Sequence, residues 1–212
     1  WDKDVLFRAD VDHVVISELH VRDFSEQGLP GVREAYRGKF MAFEERGKRM
    51  DGYTVGLPYY KRLGITHLHL LPIFDYASVD ETNCGDAYNW GYDPENYNVP
   101  EGSYATDPHD GYVRIRECKR MIKAIQDAGI GVVMDVVYNH TFVGDGSNFS
   151  LTVPGYFYRH KPDGSYSDAS GCGNETASER AMVRRYIVES VKYWAEEYHV
   201  DGFRFDLMGI HD

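Results

Sequence analysis

Two short runs concentrate ionisable side chains at regular spacing: Asp135-Val136-Val137-Tyr138-Asn139-His140 and Gly202-Phe203-Arg204-Phe205-Asp206. Both are β-branched or aromatic runs with polar residues at alternate positions, the pattern of a β-strand. Alternate strand residues share a face, so Arg204 and Asp206 point the same way, as do Asp135, Val137 and Asn139. Charge facing inward is costly unless paired, and Arg204 with Asp135 or Asp206 is the pairing expected between neighbouring strands. A carboxylate kept ionised by a guanidinium is available as a nucleophile. On spacing alone, a buried ion pair that only fixes register is the commoner reading of the same pair. His140, just past a strand end, can donate to a bound hydroxyl or satisfy a loop carbonyl, and spacing leaves both readings open.

These side chains need elements to hold them. A first strand is expected from Val14-Val15-Ile16 to Glu18-Leu19-His20, and a second over Ile65–Ile73, apolar enough to be buried on both faces. A short helix is expected over Thr54–Leu63, stopped by Gly64. Ile115, Cys118, Met121, Ile122 and Ile125 keep a helical period, and Gly129 supplies the stop. The third strand is Ile130–Tyr138. Thr176 and Glu179 have the spacing of a capping box ahead of a helix striped by Met182, Val183, Tyr186, Ile187, Val191, Trp194 and Tyr198. Gly202–Leu207 is the fourth strand. The segment Phe74–Gly111 far exceeds the roughly 2–6 residues of an ordinary βα loop, which marks it as functional, and another long excursion runs over Asn139–Asn174.

The order βαβαβαβ predicts a parallel α/β sheet closed by helices. An open doubly wound sheet is the alternative, but no Gly-rich phosphate loop follows any strand. Four strands consume the chain, whereas a compact eight-fold barrel takes about 250 residues. The expectation is the first half of a TIM (β/α)8 barrel, about four β/α units with long βα loops. Residues 1–212 would be a partial catalytic domain ending after strand four, with a long loop over 140–175. A chain that opens at Trp1, without methionine, reads as part of a longer product.

Composition narrows the partners. The net charge of −11 comes without any Lys/Arg run, which argues against nucleic acid. The longest apolar runs fall short of the roughly 20 residues of a membrane span. No basic stretch followed by an apolar one opens the chain, so an export signal is expected to be absent or already removed. The compartment stays open. Cys84, Cys118 and Cys172 are odd in number and too scattered for a disulfide framework or a C-x-x-C metal site. Cys172, between two glycines, is read as a loop residue without a base to activate it. The 17 tyrosines fit a protein that stacks on sugar rings, although aromatics also fill cores.

The two strand-tip runs resemble the first and second signature regions of the α-amylase superfamily, glycoside hydrolase family 13, in the right order on strands three and four. Tyr88-Asn89-Trp90-Gly91-Tyr92-Asp93-Pro94 resembles the heptapeptide of type I pullulanases. Asn98-Val99-Pro100-Glu101-Gly102-Ser103-Tyr104 and Asp206-Leu207-Met208-Gly209-Ile210-His211-Asp212 are similar to the same subfamily. The resemblance implies a starch-debranching hydrolase that cleaves α-1,6-glucosidic links with retention. It matches Asp206 to the catalytic nucleophile, Arg204 to the arginine that holds it, and His140 to the histidine contacting the sugar. It matches Tyr92 to the tyrosine stacked under that sugar, Asp135 to a structural carboxylate, and Asn139 to a position that binds calcium in many α-amylases. Trp90 has two readings, a stacking platform at an adjacent subsite or, the commoner role of a tryptophan, a buried prop beneath the loop. The family's general acid and third carboxylate fall beyond Asp212. The expected partners are therefore an α-glucan and the C-terminal remainder of the barrel, with the fragment inert alone.

No cofactor is required by this chemistry. Calcium is a secondary expectation, either at Asn139 or among Asp80, Glu81, Asp86, Asp93 and Glu95. His67 and His69 have a spacing some barrel hydrolases use for zinc but sit below the strand tip, so they read as core histidines. Two other functions stay open: a glucan-branching or related transferase on the same barrel, and a non-catalytic carbohydrate-binding module. The heptapeptide around Trp90 favours the hydrolase.

Overall fold

The computed structural model describes residues 10–45, 49–85 and 87–212. Its strands and helices run β1 (Ile16–Leu19), β2 (Arg49–Met50), β3 (Tyr53–Thr54), α1 (Leu57–Arg62), β4 (His67–Leu70), β5 (Phe74–Tyr76), β6 (Pro94–Pro100), α2 (Gly111–Asp127), β7 (Gly131–Val136), α3 (Asn148–Thr152), α4 (Ala181–Glu197) and β8 (Gly202–Phe205). Four of the strands form one parallel sheet in the order β1-β4-β7-β8. Chain order and spatial order thus agree, as successive β/α units of a barrel require.

The register sorts the side chains. Glu18 lies opposite His69, His69 opposite Val133, and Asp135 opposite Arg204. The polar residues therefore share one face of the sheet. The alternate residues Leu68, Leu70, Val132, Met134 and Val136 are fully buried on the other. Helix α2 buries Cys118, Met121, Ile122 and Ile125, the stripe that its period predicts. Each such aliphatic side chain contributes ~1.5–3 kcal/mol by leaving water. Gly129 stops the helix in a left-handed conformation, φ +75°, that a side chain would strain. On α4, Trp194 is fully buried and its indole N–H donates to the Tyr97 carbonyl at 2.9 Å, tying that helix to β6.

Three local expectations change. Helix α1 is shorter than its pattern, because Thr54 pairs in the β2–β3 hairpin and Pro58 sits in the first helical turn. The long segment after β4, expected as a loop, carries strands of its own: β5 and β6 pair antiparallel within it. The capping box at Thr176 and Glu179 does not form, since α4 starts later, after Arg180. The Thr176 hydroxyl donates instead to the Tyr138 carbonyl at 2.7 Å, its N–H donates to the Asn139 carbonyl at 3.0 Å, and the Glu179 carboxylate accepts from Arg159 at 2.8 Å. Carbonyls just past the end of β7 lack a ladder partner, and buried Thr176 supplies it.

Candidate active site

Beyond β8 the ladder continues for one more bond, Asp206 N–H to the Val136 carbonyl at 2.9 Å. Leu207 then turns the chain with φ +44° and ψ +43°. The Asp206 side chain is left at the rim of the sheet on an open cleft of about 680 Å³, shared with Glu18, His20, Tyr88, Trp90, Tyr92 and Arg204. Its carboxylate is fixed from two sides. One guanidinium nitrogen, Arg204 Nη1, donates to Oδ1 at 2.8 Å, and Asn139 Nδ2 donates to Oδ2 at 3.2 Å.

Arg204 is in turn held by Asp135. The same Nη1 lies 3.1 Å from both oxygens of that carboxylate, which is completely buried. Asp135 Oδ2 also accepts from Tyr92 Oη at 2.8 Å and faces His69 Nε2 at 2.9 Å. A carboxylate without solvent is tolerable only when its lone pairs are filled, and strands β4, β7 and β8 with the β5–β6 loop converge to fill them. Burial works against the Arg204 charge, but bonding to Asp135 outweighs it, so its pKa rises above the ordinary value. Burial first, and then Asp135, push the Tyr92 phenol upward, which keeps it a donor.

His140 and the Tyr92 loop are stitched together. The His140 ring is buried, with Nε2 2.9 Å from the Tyr92 carbonyl and Nδ1 2.5 Å from Asn139 Oδ1. Asn139 Nδ2 donates to two oxygens of Asp206, which orients its amide so that the oxygen faces His140. Desolvation lowers the His140 pKa, opposed by the Tyr92 carbonyl and the Asp206 charge. A neutral ring can donate to just one of its two flanking oxygens. Gly91 permits the turn between Trp90 and Tyr92: at φ +91° an added Cβ would lie 3.0 Å from the Pro72 carbonyl oxygen.

Trp90 is not a buried prop. It is 62% exposed and borders the cleft, because the loop is anchored by other means. Asn89 Oδ1 accepts from the Gly91 N–H at 2.7 Å, Asn89 Nδ2 donates to Asp93 at 2.8 Å, and His20 Nε2 meets the Asn89 carbonyl at 2.8 Å. His20 is an anchor that sequence reading missed. It is buried, and Nδ1 accepts from the Arg22 N–H at 3.2 Å, so its proton resides on Nε2. Desolvation lowers its pKa, consistent with that neutral tautomer. Tyr88 lies against the His20 ring at 4.9 Å and donates to Asp23 at 3.1 Å. A His just past the first strand is the only sequence signal for this contact.

Of the five acidic residues in the long segment after β4, the four described do not gather with one another. Asp80 binds Thr82, Asp93 binds Ser78 and Asn89, Glu95 is exposed, and Asp86 lies outside the described residues. The carboxylates that converge are Asp75, Glu81 and Glu101, with oxygens within 4.8 Å of one another. Arg114 stands among them, 2.5 Å from Glu81 and 3.9 Å from Asp75. His67 and His69 are both engaged, His67 Nδ1 with Thr66 Oγ1 at 2.9 Å.

A parallel β/α sheet with a polar file on its inner face and a cleft at its strand tips is part of an α-amylase-type barrel. Residues 35–149, more than half of the chain, match the family model described as alpha amylase, catalytic domain. The chain belongs to that family. It is 49% identical over 207 residues to a pullulanase of Bacillus subtilis (strain 168), covering 97% of this chain and 28% of that protein. It is 38% identical to chloroplastic pullulanase 1 of Arabidopsis thaliana, over 98% of this chain and 24% of that one. The crystal structure of a Paenibacillus barengoltzii pullulanase complexed with maltohexaose and alpha-cyclodextrin superposes with a TM-score of 0.93 and 50% identity. All of this chain and 33% of that one are matched. The chain therefore spans between about a quarter and a third of the length of these relatives.

Proposed function

We propose that this chain carries the nucleophile side of the active site of an α-glucan debranching hydrolase, acting on α-1,6 links with retention of configuration. The observation that supports this most directly is Asp206 at the rim of the cleft, held at both oxygens by Arg204 and Asn139. Asp206 attacks the anomeric carbon and the bond to the leaving oxygen breaks. A carboxylic acid from the rest of the barrel, about 5 Å away in retaining enzymes, protonates that oxygen. Water, deprotonated by the same group, then releases the sugar from Asp206. Tyr92 and Trp90 offer aromatic faces to glucose rings, and Asp135 holds Arg204. Since the acid comes from elsewhere, residues 1–212 alone are inert. The relatives are pullulanases, which supports hydrolysis over transfer and pullulan as the substrate to test.

The test is Asp206→Asn in the full-length protein, with reducing ends released from pullulan as the readout. Loss by a factor of 10³ or more is expected, on the order seen when a covalent nucleophile is removed. Unchanged release would reject the reading in favour of a binding module. Chain-transfer products instead of maltotriose would assign a transferase.

A further inference from the structure

We infer that His69 is a positioning residue for Asp206, acting through Asp135 and Arg204. This rests on the nucleophile role proposed above. Arg204 reaches Asp206 through one nitrogen, and that nitrogen is shared with Asp135. The Arg204 side chain is 45% exposed, and little but this bridge fixes a long, flexible group at the cleft. Where the guanidinium sits therefore depends on how Asp135 is oriented. The Asp135 carboxylate is fully buried, and its Oδ2 is pinned by Tyr92 and by His69 Nε2. Tyr92 comes from a loop, whereas His69 comes from the neighbouring strand β4, and it is the donor to Asp135 supplied by the sheet on that side. Behind the ring, Nδ1 faces Glu18 Oε2 on β1 at 3.6 Å, beyond hydrogen-bond reach, so the bond to Asp135 is what orients the imidazole. Hydrogen bonds thus pass from strand to strand, His69 to Asp135 to Arg204, and end on the carboxylate at the cleft. A packing histidine would fill volume; this one places a donor on the oxygen that orients the arginine.

The experiment compares His69→Leu, His69→Asn and His69→Gln in the full-length protein, with kcat and KM on pullulan measured beside crystal structures of each. Glutamine carries an N–H to about the position of Nε2, while asparagine is a methylene too short. A bond to a charged group is worth ~1.5–3 kcal/mol, so leucine and asparagine should lower kcat roughly 10- to 100-fold with KM within about twofold. Glutamine should restore most of it, and the leucine and asparagine structures should show Arg204 displaced from Asp206. If leucine does not fold, asparagine against glutamine decides. Equal kcat in all three variants, or equal losses with Arg204 unmoved, overturns the inference. An inactive wild type would defeat the proposed function instead, and the Arg204 position would still judge His69.

Discussion

Asn139 holds Asp206 at two points, its Nδ2 lying 3.1 Å from the main-chain oxygen and 3.2 Å from Oδ2. The other end of the same amide meets His140, so both ends are engaged. Asn139→Ala leaves the Asp206 carboxylate steered by Arg204 alone. With a charged acceptor worth ~1.5–3 kcal/mol, kcat on pullulan should fall roughly 10- to 100-fold while KM stays near its starting value. A kcat equal to wild type would show that the amide is a bystander.

Trp90 stands in solvent beside the cleft, and its loss should separate binding from folding. Surface substitutions usually stay within about 0.5 kcal/mol of wild-type stability. A lost aromatic contact of ~0.5–1.5 kcal/mol should raise KM for pullulan about 2- to 10-fold. Calorimetry of Trp90→Ala would test the first point and steady-state kinetics the second. A destabilised variant with normal KM would restore the prop reading.

Trp194 bonds the Tyr97 carbonyl inside the core, so Trp194→Phe keeps most of the apolar bulk but orphans that acceptor. A buried unsatisfied group costs about 1–3 kcal/mol. Urea unfolding should show a loss of that size, larger than the deleted surface alone gives. No change in midpoint would mean that water replaces the indole.

Burial pushes the Glu101 carboxyl up to about 7, and Asp75, also chiefly desolvated, up to about 6. Their folded values exceed the unfolded ones, so the folded state binds more protons. This contribution is complete below about pH 4 and is lost as pH rises through 7. For Glu101 the loss is about 3 kcal/mol. His20 and His140 act oppositely: with lowered values they favour the fold above about pH 6.5 and withdraw support as the solution acidifies. Urea titrations from pH 5 to 8 should therefore show Glu101→Gln losing less stability toward alkali than wild type. Parallel pH profiles would contradict this assignment.

The parallel strands were legible because β-branched runs alternate with a helical period, and alternation alone put Arg204 and Asp206 on one face. What escaped depended on distant partners. The contact between His20 and Asn89 spans 69 positions, and no local pattern announces it. The β5–β6 pairing was hidden by Pro94, Pro100 and a shift in register, which erase two-residue periodicity. Thr176 carried a genuine local cap signal, but the unpaired Tyr138 carbonyl competed for its hydroxyl and won. Trp90 misled because bulk predicts burial on average, while here asparagine and glycine shape the loop.

The pairing of Glu18 with His69 and of Asp135 with Arg204 ties chemistry to threading. Because a strand's side chains flip with every step, β4 or β7 docked one position out would offer leucine, methionine or valine to the cleft. It would also drive an imidazole or a carboxylate into the oily layer under the helices. A mis-threaded molecule is therefore penalised twice, and turnover itself reports that all four strands have found their places.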